Sequence, residues 1–208
     1  MQNPLRLYRA PFSTNVERVA LALAHKGLEV ESVVIDYSDR GPVREVSGQD
    51  LVPVIDDGGV VVNDSLVILR HLERRNPDPP LFPLDEPRRA ELDVFLDWFD
   101  RVWKAAPNAI EAELAAEEPD RSRIAELSAT IASRMDLFER MLAGRDHLFG
   151  ELSAADCAAF PFLKYARSRE PADDELFHRV LEEHQPLGTN HPRLTAWIDR
   201  MDAMPRAY

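Results

Sequence analysis

The hydrophobic pattern of this 208-residue chain changes near residue 80. Up to about residue 75, short β-branched runs alternate with segments of helical period. Beyond residue 85, nearly all apolar residues recur at helical spacing. Between the two patterns, residues 77–80 contain three prolines, which continue neither a helix nor a central strand. The pattern predicts an α/β domain over residues 1–76, a linker over 77–84 and an all-helical domain over 85–208.

The α/β part has the signals of a mixed four-stranded sheet. Its β-like runs cover residues 5–8, 30–35, 52–55 and 60–62. A helical pattern over Val16–Lys26, followed by Gly27 as a stop, separates the first two runs, and such a crossover is typical of parallel strands. The Asp-Asp-Gly-Gly turn at 56–59 joins the last two runs as an antiparallel hairpin.

Charge and composition exclude several classes of function. Lysine and arginine total 25 against 37 aspartates and glutamates, and the resulting net charge of −12 repels nucleic-acid phosphates. Cys157 is the only cysteine, which excludes an internal disulfide, a CxxC redox pair and a cysteine zinc site. The six histidines show neither an HExxH motif nor paired ligand spacing, so no metal site is predicted.

The sequence also lacks membrane and export signals. No apolar run approaches the roughly 20 residues that a membrane helix needs. Residues 1–6 lack the basic flank and apolar core of a secretory signal. We therefore expect a soluble, cytoplasmic protein that binds neither nucleic acid nor a membrane.

Four local motifs, taken in order and spacing, resemble the glutathione transferase family. The motifs are Ser13–Leu28, Leu51–Ile55, Asn63–Ile68 and Ser153–Asp156. They resemble, in turn, the active-site turn and first helix of the serine-type classes, the segment with a cis-proline in thioredoxin-like folds, the acid-serine turn that holds the γ-glutamyl end of glutathione, and a helix-capping box. The resemblance covers essentially the whole chain. It implies a thioredoxin-like N-terminal domain, an all-helical C-terminal domain, glutathione as co-substrate, a homodimer and a role in detoxification.

Ser13 is the catalytic candidate that the resemblance implies. A thiol with a pKa near 8.5 is mostly un-ionised at neutral pH, so a catalyst must favour the thiolate. A helix N-terminus and a hydroxyl donor both do so, and Ser13 lies just ahead of the first helix. The alternative is that Ser13 only caps this helix. Thr14 and Asn15 are fallback donors, whereas Tyr8 is expected in the core. Because position 13 lacks sulfur, a disulfide oxidoreductase is not favoured.

The resemblance also implies the residues that bind glutathione. The backbone of Val52 would pair with the cysteinyl residue if the peptide bond before Pro53 is cis; the alternative is an edge-strand proline. Asp64 would meet the α-ammonium group, while the hydroxyl and N–H of Ser65 would bind the α-carboxylate at a helix start. The alternative for Asp64 and Ser65 is a plain N-cap, and both roles can coexist.

One position departs from the family pattern. Families of this kind often carry a basic or amide side chain just before the Val-Pro pair, where it meets the glycine carboxylate of glutathione. Leu51 occupies that position here. Gln49, Arg40 and Arg44 are left as candidates for this contact. The departure favours the alternative function, a non-catalytic binding or interaction module of the same fold.

The helical domain contributes a candidate pocket and a structural motif. Phe12, Trp98 and Trp103 are candidates to wall the site of a small, largely apolar electrophile, with a helical core as the alternative for the tryptophans. Ser153 and Asp156 are predicted to cap a helix and to take no part in catalysis. We expect Cys157 to be buried. The function predicted is a glutathione transferase that activates the glutathione thiol for attack on such an electrophile.

Overall fold

Residues 5–208 are described by a computed structural model of the chain, and they fall into two units. The first unit extends to Pro83 and also includes the final residues, Met204–Tyr208; the second is Leu84–Ala203. The division falls within the proline-rich segment 77–84. Residues 1–4, which belong to the segment expected to lack a secretory signal, lie outside the described residues.

The described part of the first unit contains one sheet and the helices that flank it. The elements, in chain order, are β1 (Leu5–Arg9), α1 (Thr14–His25), β2 (Glu31–Val34), α2 (Gly41–Ser47), β3 (Val54–Asp57), β4 (Val60–Asn63) and α3 (Ser65–Arg75). The strand order is β2-β1-β3-β4, with β1 parallel to β2 and antiparallel to β3, and β4 antiparallel to β3. The mixed four-stranded sheet and the thioredoxin-like arrangement are confirmed.

Local signals explain where α1 begins and ends. Ser13 is its N-cap and accepts a hydrogen bond from the backbone N–H of Val16. After the helix, Gly27 takes a φ of +62°, and the N–H of Leu28 donates to the carbonyl of Leu23 over 2.9 Å. This wrap-back at a left-handed glycine terminates the helix at His25, one residue before the predicted end at Lys26. The start lies two residues before the predicted one, because the cap precedes the first apolar residue.

A small apolar cluster holds one face of the sheet against α2. The register of β1 and β3 places Tyr8 opposite Val54, and both join Ile35 and Val43 in a buried cluster. Full burial of one such side chain contributes about 1.5–3 kcal/mol. Tyr8 is 7% exposed, so it is a core residue, as predicted.

The second unit is helical, as the periodicity predicts. Its helices are α4 (Glu86–Trp98), α5 (Ala105–Leu114), α6 (Arg121–Met141), α7 (Ala154–Leu163), α8 (Leu176–His184) and α9 (Pro192–Asp202), with a π-helical turn at Phe99–Trp103 and a 3₁₀ turn at Lys164–Ala166. Leu92, Phe99 and Trp103 are buried along the predicted stripe, but Val102 is 44% exposed. A π turn accommodates an extra residue, which rotates Val102 away from the apolar face.

Asp156 organises the start of α7. Its carboxylate accepts hydrogen bonds from the N–H and hydroxyl of Ser153, which completes the predicted capping box. The same carboxylate accepts from the backbone N–H of Leu148 and the indole N–H of Trp197, each over 2.9 Å. Asp156 is fully buried, and Cys157 beside it is buried, as expected, and is not in a disulfide.

A helix that spans a bilayer needs about 20 mostly apolar residues. Within residues 5–208, none is long and apolar enough to cross a membrane.

Candidate functional site

The sheet registers bring three sequence motifs to one end of the first unit. Tyr8 pairs with Val54 in an antiparallel register, so the chain leaving β1 toward Ser13 passes beside the segment that enters β3. Val54 also pairs with Asn63, so the end of β4 and the start of α3 lie on the other side of that segment. The turn before α1, the Val52-Pro53 pair and the Asp64-Ser65 pair therefore meet at one edge of the sheet.

Ser13 occupies the N-terminus of α1 with its side chain partly exposed. Its Oγ accepts a hydrogen bond from the N–H of Val16 over 3.3 Å, and among residues 5–208 no other hydrogen bond involves this hydroxyl. A hydroxyl has one donor hydrogen besides its acceptor lone pairs. The capping role therefore leaves the hydrogen of Ser13 available to an anion at the helix N-terminus.

Two strained residues lie immediately before the helices of this edge. Phe12 and Asp64 are the only non-glycine residues in the described part of the chain with positive φ, at +58° and +68°. A left-handed conformation costs about 1–2 kcal/mol for most residues, although aspartate adopts it more readily than phenylalanine. Such strain concentrates at functional sites. Phe12 is 37% exposed beside Ser13, and no sequence signal pointed to its backbone conformation.

The peptide bond between Val52 and Pro53 is cis, as the resemblance implies. Pro53 is buried and Val52 is half-buried against the apolar cluster of the sheet. The sequence pattern placed both residues inside a strand, but β3 begins only at Val54. The predicted strand over 52–55 therefore begins and ends two residues too early, because the proline precedes the hydrogen-bonded ladder and the strand continues to Asp57.

Asp64 and Ser65 form the start of α3. Asp64 is the N-cap, and its Oδ1 accepts from the N–H groups of Leu66 and Val67 over 2.9 and 3.1 Å. Ser65 is buried, and its hydroxyl accepts from the guanidinium of Arg18 over 3.1 Å. The capping function is thus present, and it does not exclude the binding function that the resemblance implies.

Arg18 is a component of this edge that the sequence reasoning missed. It is fully buried on α1, five residues after Ser13, and links α1 to the start of α3 through Ser65. A guanidinium stays charged at any physiological pH. Together with the positive ends of two helix dipoles, it makes this corner suitable for an anionic group such as a carboxylate or a thiolate.

Arg40 immediately precedes α2, Arg44 lies within it and Gln49 follows it, on the chain that leads into Val52. Gln49 is half-buried, and its side-chain amide is hydrogen-bonded to the backbone of Leu51. The guanidinium of Arg44 forms two hydrogen bonds with Asp50, and that of Arg40 lies 4.3 Å from the ring centroid of Tyr37. Each of these three polar side chains therefore already has an internal contact.

The aromatic candidates are divided between the two units. Phe12 belongs to the first unit, and Trp98 and Trp103 belong to the second. Trp98 is half-buried, whereas Trp103 is fully buried and stacked on Phe99 with ring centroids 4.5 Å apart. The burial of Trp103 favours a role in the helical core over a role in a pocket wall.

Across residues 5–208, no three or more histidine, cysteine, aspartate or glutamate side chains are grouped so as to hold a metal ion.

Two family models match the chain. Residues 7–80 match the model described as "Glutathione S-transferase, N-terminal domain", and residues 121–200 match "Glutathione S-transferase, C-terminal domain". Between them, the matched segments include every residue of the sheet edge described above, but neither includes Trp98 or Trp103.

Individual relatives and solved structures also match the chain. Glutathione S-transferase Z2 of Arabidopsis thaliana is 37% identical over 94 residues, 43% of this chain and 42% of that protein. The matched stretch thus spans about two fifths of that relative. FtsZ-localized protein A of Caulobacter vibrioides is 26% identical over 74% of this chain and 73% of its own. Among solved structures, the β-etherase LigF of a Sphingobium species superimposes with a TM-score of 0.79 at 21% identity, covering 98% of this chain and 96% of the other.

Proposed function

The chain belongs to the glutathione S-transferase superfamily, and from that premise we propose that it activates the glutathione thiol for attack on a small, largely apolar electrophile. Ser13 is the proposed catalytic residue. The observation that carries the proposal is the geometry of its hydroxyl, which accepts a hydrogen bond at the start of α1 and keeps its own hydrogen for a second partner.

In the proposed mechanism, Ser13 stabilises the thiolate and forms no covalent bond. The Ser13 hydroxyl donates its hydrogen to the sulfur, and the N-terminus of α1 adds a positive potential. Both effects lower the pKa of the thiol below its free value, so a larger fraction is ionised at neutral pH. The sulfur lone pair then forms the S–C bond. In a substitution the leaving group departs with its bonding electrons, and in an addition the new carbanion takes up a proton from solvent.

The other residues of the sheet edge would hold the tripeptide. The backbone of Val52, before the cis bond to Pro53, is proposed to pair with the cysteinyl residue. Ser65, supported by the buried Arg18, would bind the γ-glutamyl α-carboxylate, and Asp64 would bind the α-ammonium group. This division of roles fits the charges: a buried cation and a helix N-terminus favour the carboxylate, and an acidic side chain favours the ammonium.

Turnover of an aromatic halide with glutathione tests the role of Ser13. We expect Ser13→Ala to lower kcat by about a hundredfold, because one preorganised donor to a developing or existing anion contributes on this scale. The KM for glutathione should change little. Ser13→Thr, which keeps the hydroxyl, should retain more activity than Ser13→Ala.

A matched control separates this effect from the loss of a helix cap. Asp120 is the N-cap of α6 in the second unit, and Asp120→Ala removes a cap without touching the proposed site. We expect this control to turn over like the unmodified protein. Equal kcat in Ser13→Ala and in the unmodified protein would remove Ser13 from the mechanism.

We base proposals for the cellular location, the oligomeric state and the electrophile contact on the same family membership. We propose a cytoplasmic homodimer that acts in detoxification, and we propose Phe12, beside Ser13, as an aromatic contact of the electrophile. Light scattering coupled to size-exclusion chromatography checks the assembly: the chain is 23.6 kDa, so a homodimer is expected at twice that mass.

A second candidate function is a non-catalytic binding or interaction module. Two observations favour it: Leu51 stands exposed where the family often has a charged or amide side chain, and one relative carries the name FtsZ-localized protein A. Calorimetry with reduced glutathione separates the two functions. Saturable heat at millimolar concentration is expected of the transferase, and its absence would favour the module.

A further inference from the structure

The part of the proposed site that would receive the third residue of the thiol peptide differs from the γ-glutamyl end in its polar side chains. With the γ-glutamyl end at Ser65 and the cysteinyl residue at Val52, the third residue of the peptide extends beyond Val52, over residues 49–51. These residues connect α2 to the cis peptide bond. The binding of a carboxylate at this end therefore depends on the polar groups of residues 49–51 and of α2 with its N-cap.

The side-chain amide of Gln49 is hydrogen-bonded to residues of its own segment. Its amide nitrogen donates to the carbonyl of Leu51 over 2.8 Å and to the hydroxyl of Ser47 over 3.1 Å. Its amide oxygen accepts from the N–H of Leu51. Both ends of the side chain thus close a local turn, and turning the amide toward a ligand would break these hydrogen bonds. Leu51, which the turn presents, is 75% exposed and has no polar atom in its side chain.

Arg44 is neutralised by a neighbour. Its Nε and Nη2 donate to the two carboxylate oxygens of Asp50 over 2.7 and 2.9 Å, the bidentate geometry that a ligand carboxylate would otherwise occupy. These hydrogen bonds lower the pKa of Asp50 below its usual value, so the pair stays ionised at neutral pH. Because Asp50 is only six residues away along the chain, it competes with a dissolved carboxylate at a high local concentration.

Arg40 is the last of the three candidates. Its guanidinium lies over the ring of Tyr37, 4.3 Å from the centroid, and it faces the negative charges of Asp36 and Asp50. The two arginines of this segment therefore have four acidic or aromatic partners, because Asp39 also acts on Arg44. Three carboxylates thus offset the two guanidinium charges before any ligand arrives.

We propose, building on the proposed function, that the site recognises its thiol substrate through the γ-glutamyl end and does not bind the carboxylate of the third residue. The substrate class is then γ-glutamyl-cysteinyl thiols in general. It includes those whose third residue is esterified, amidated, extended by further residues or missing, as well as glutathione itself. The exposed, apolar Leu51 leaves this end of the proposed site without a charged side chain, which suits an extended peptide.

Calorimetry with three thiols tests the proposal on the unmodified protein. The probes are reduced glutathione, its glycine monoethyl ester and γ-glutamylcysteine. We expect the three dissociation constants to agree within about threefold, the scale of a weak, exposed charge contact. A preference for glutathione of tenfold or more over the ester would overturn the inference and leave the transferase proposal standing. If none of the three thiols gave heat, both this inference and the transferase proposal would be excluded.

Two variants at exposed positions sharpen the test. Leu51→Lys places a cation where the third residue is expected, and Asp50→Asn releases Arg44 from its partner. Each should raise the preference for glutathione over the ester by about threefold or more, with the affinity for the ester unchanged. An unchanged ratio in both variants would contradict the placement of the third residue beside residues 49–51. Circular dichroism confirms that the variants are folded.

Discussion

Ser13 and Ser153 are the same residue at the same position of a helix, the N-cap, yet their hydroxyls are used differently. Ser153 is 4% exposed, accepts from the N–H of Ala155 and donates to the carboxylate of Asp156. Ser13 is partly exposed and accepts from Val16, which has no carboxylate to offer in return. The residue three positions after the cap therefore decides whether the hydroxyl hydrogen is consumed inside the protein or remains for a ligand.

The comparison predicts opposite consequences for the two regions: removing a partner of Ser153 affects folding, and removing Ser13 affects chemistry. The largest expected effect is that of Asp156→Ala. It leaves the N–H of Leu148, the indole of Trp197 and the cap of α7 without their buried acceptor. We expect a loss of about 3–5 kcal/mol in the free energy of unfolding, measured by urea denaturation. A loss below 1 kcal/mol would contradict the central position of Asp156.

Ser153→Ala is the direct counterpart of the Ser13 substitution. It should cost about 1–2 kcal/mol of stability, since a buried cap is removed. The kcat per folded molecule should stay within twofold of the unmodified protein, because no proposed site residue is touched. A hundredfold loss of kcat here would show that capping alone explains the kinetic effect at Ser13.

Arg18→Met tests whether Arg18 supports the proposed γ-glutamyl site. The substitution keeps an unbranched, apolar stem on α1 and removes the donor to Ser65. We expect the KM for glutathione to rise about tenfold, because a charge-assisted hydrogen bond contributes on this scale. The kcat at saturation should fall less than the KM rises. A KM within twofold of the original would exclude Arg18 from ligand binding, and thermal unfolding checks that the variant is folded.

Ser13→Gly gives the smallest effect on stability and separates the two uses of the serine. Glycine is accepted at the N-cap, so the free energy of unfolding should fall by only a few tenths of a kcal/mol, about 0.3. The hydroxyl is nevertheless lost, so kcat should fall as far as in Ser13→Ala. If Ser13→Gly were as active as the unmodified protein, the role of Ser13 would be confined to starting α1.

Much of the fold was predictable because its signals are local. Gly27 after an apolar helix pattern, the Asp-Asp-Gly-Gly turn and the prolines of residues 77–80 each constrain a few neighbouring residues. These signals were sufficient for the order of the elements and for the mixed sheet. The π turn was not predictable, since nothing in the spacing of Phe99 and Trp103 shows that an extra residue is accommodated between them.

The site was predictable only where a motif marks it. Ser13, Pro53 and Asp64 stand in recognisable motifs, and the structure places them at one edge of the sheet. Arg18 escaped notice because a charged residue in an amphipathic helix is normally assigned to the exposed face. Its burial depends on Ser65, 47 residues away, which no local pattern reveals.

Long-range contacts near the chain end were equally hidden from the sequence. Arg206 pairs with Glu17 over 2.8 Å, and the N–H of Ala207 donates to the carbonyl of Ala20. These contacts attach the last residues to α1 in the first unit, although the helical pattern assigned residues up to 208 to the second domain. Such contacts join residues more than 180 positions apart and leave no periodic signal.

The pKa of the glutathione sulfur in the complex is the measurement closest to the central claim. It can be followed by the ultraviolet absorbance of the thiolate as the pH is raised, in the unmodified protein and in Ser13→Ala. We expect the bound thiol to ionise at least one unit below its free pKa of about 8.5 in the unmodified protein and to return toward that value in the variant. Identical ionisation in the two proteins would show that the Ser13 hydroxyl does not stabilise the thiolate.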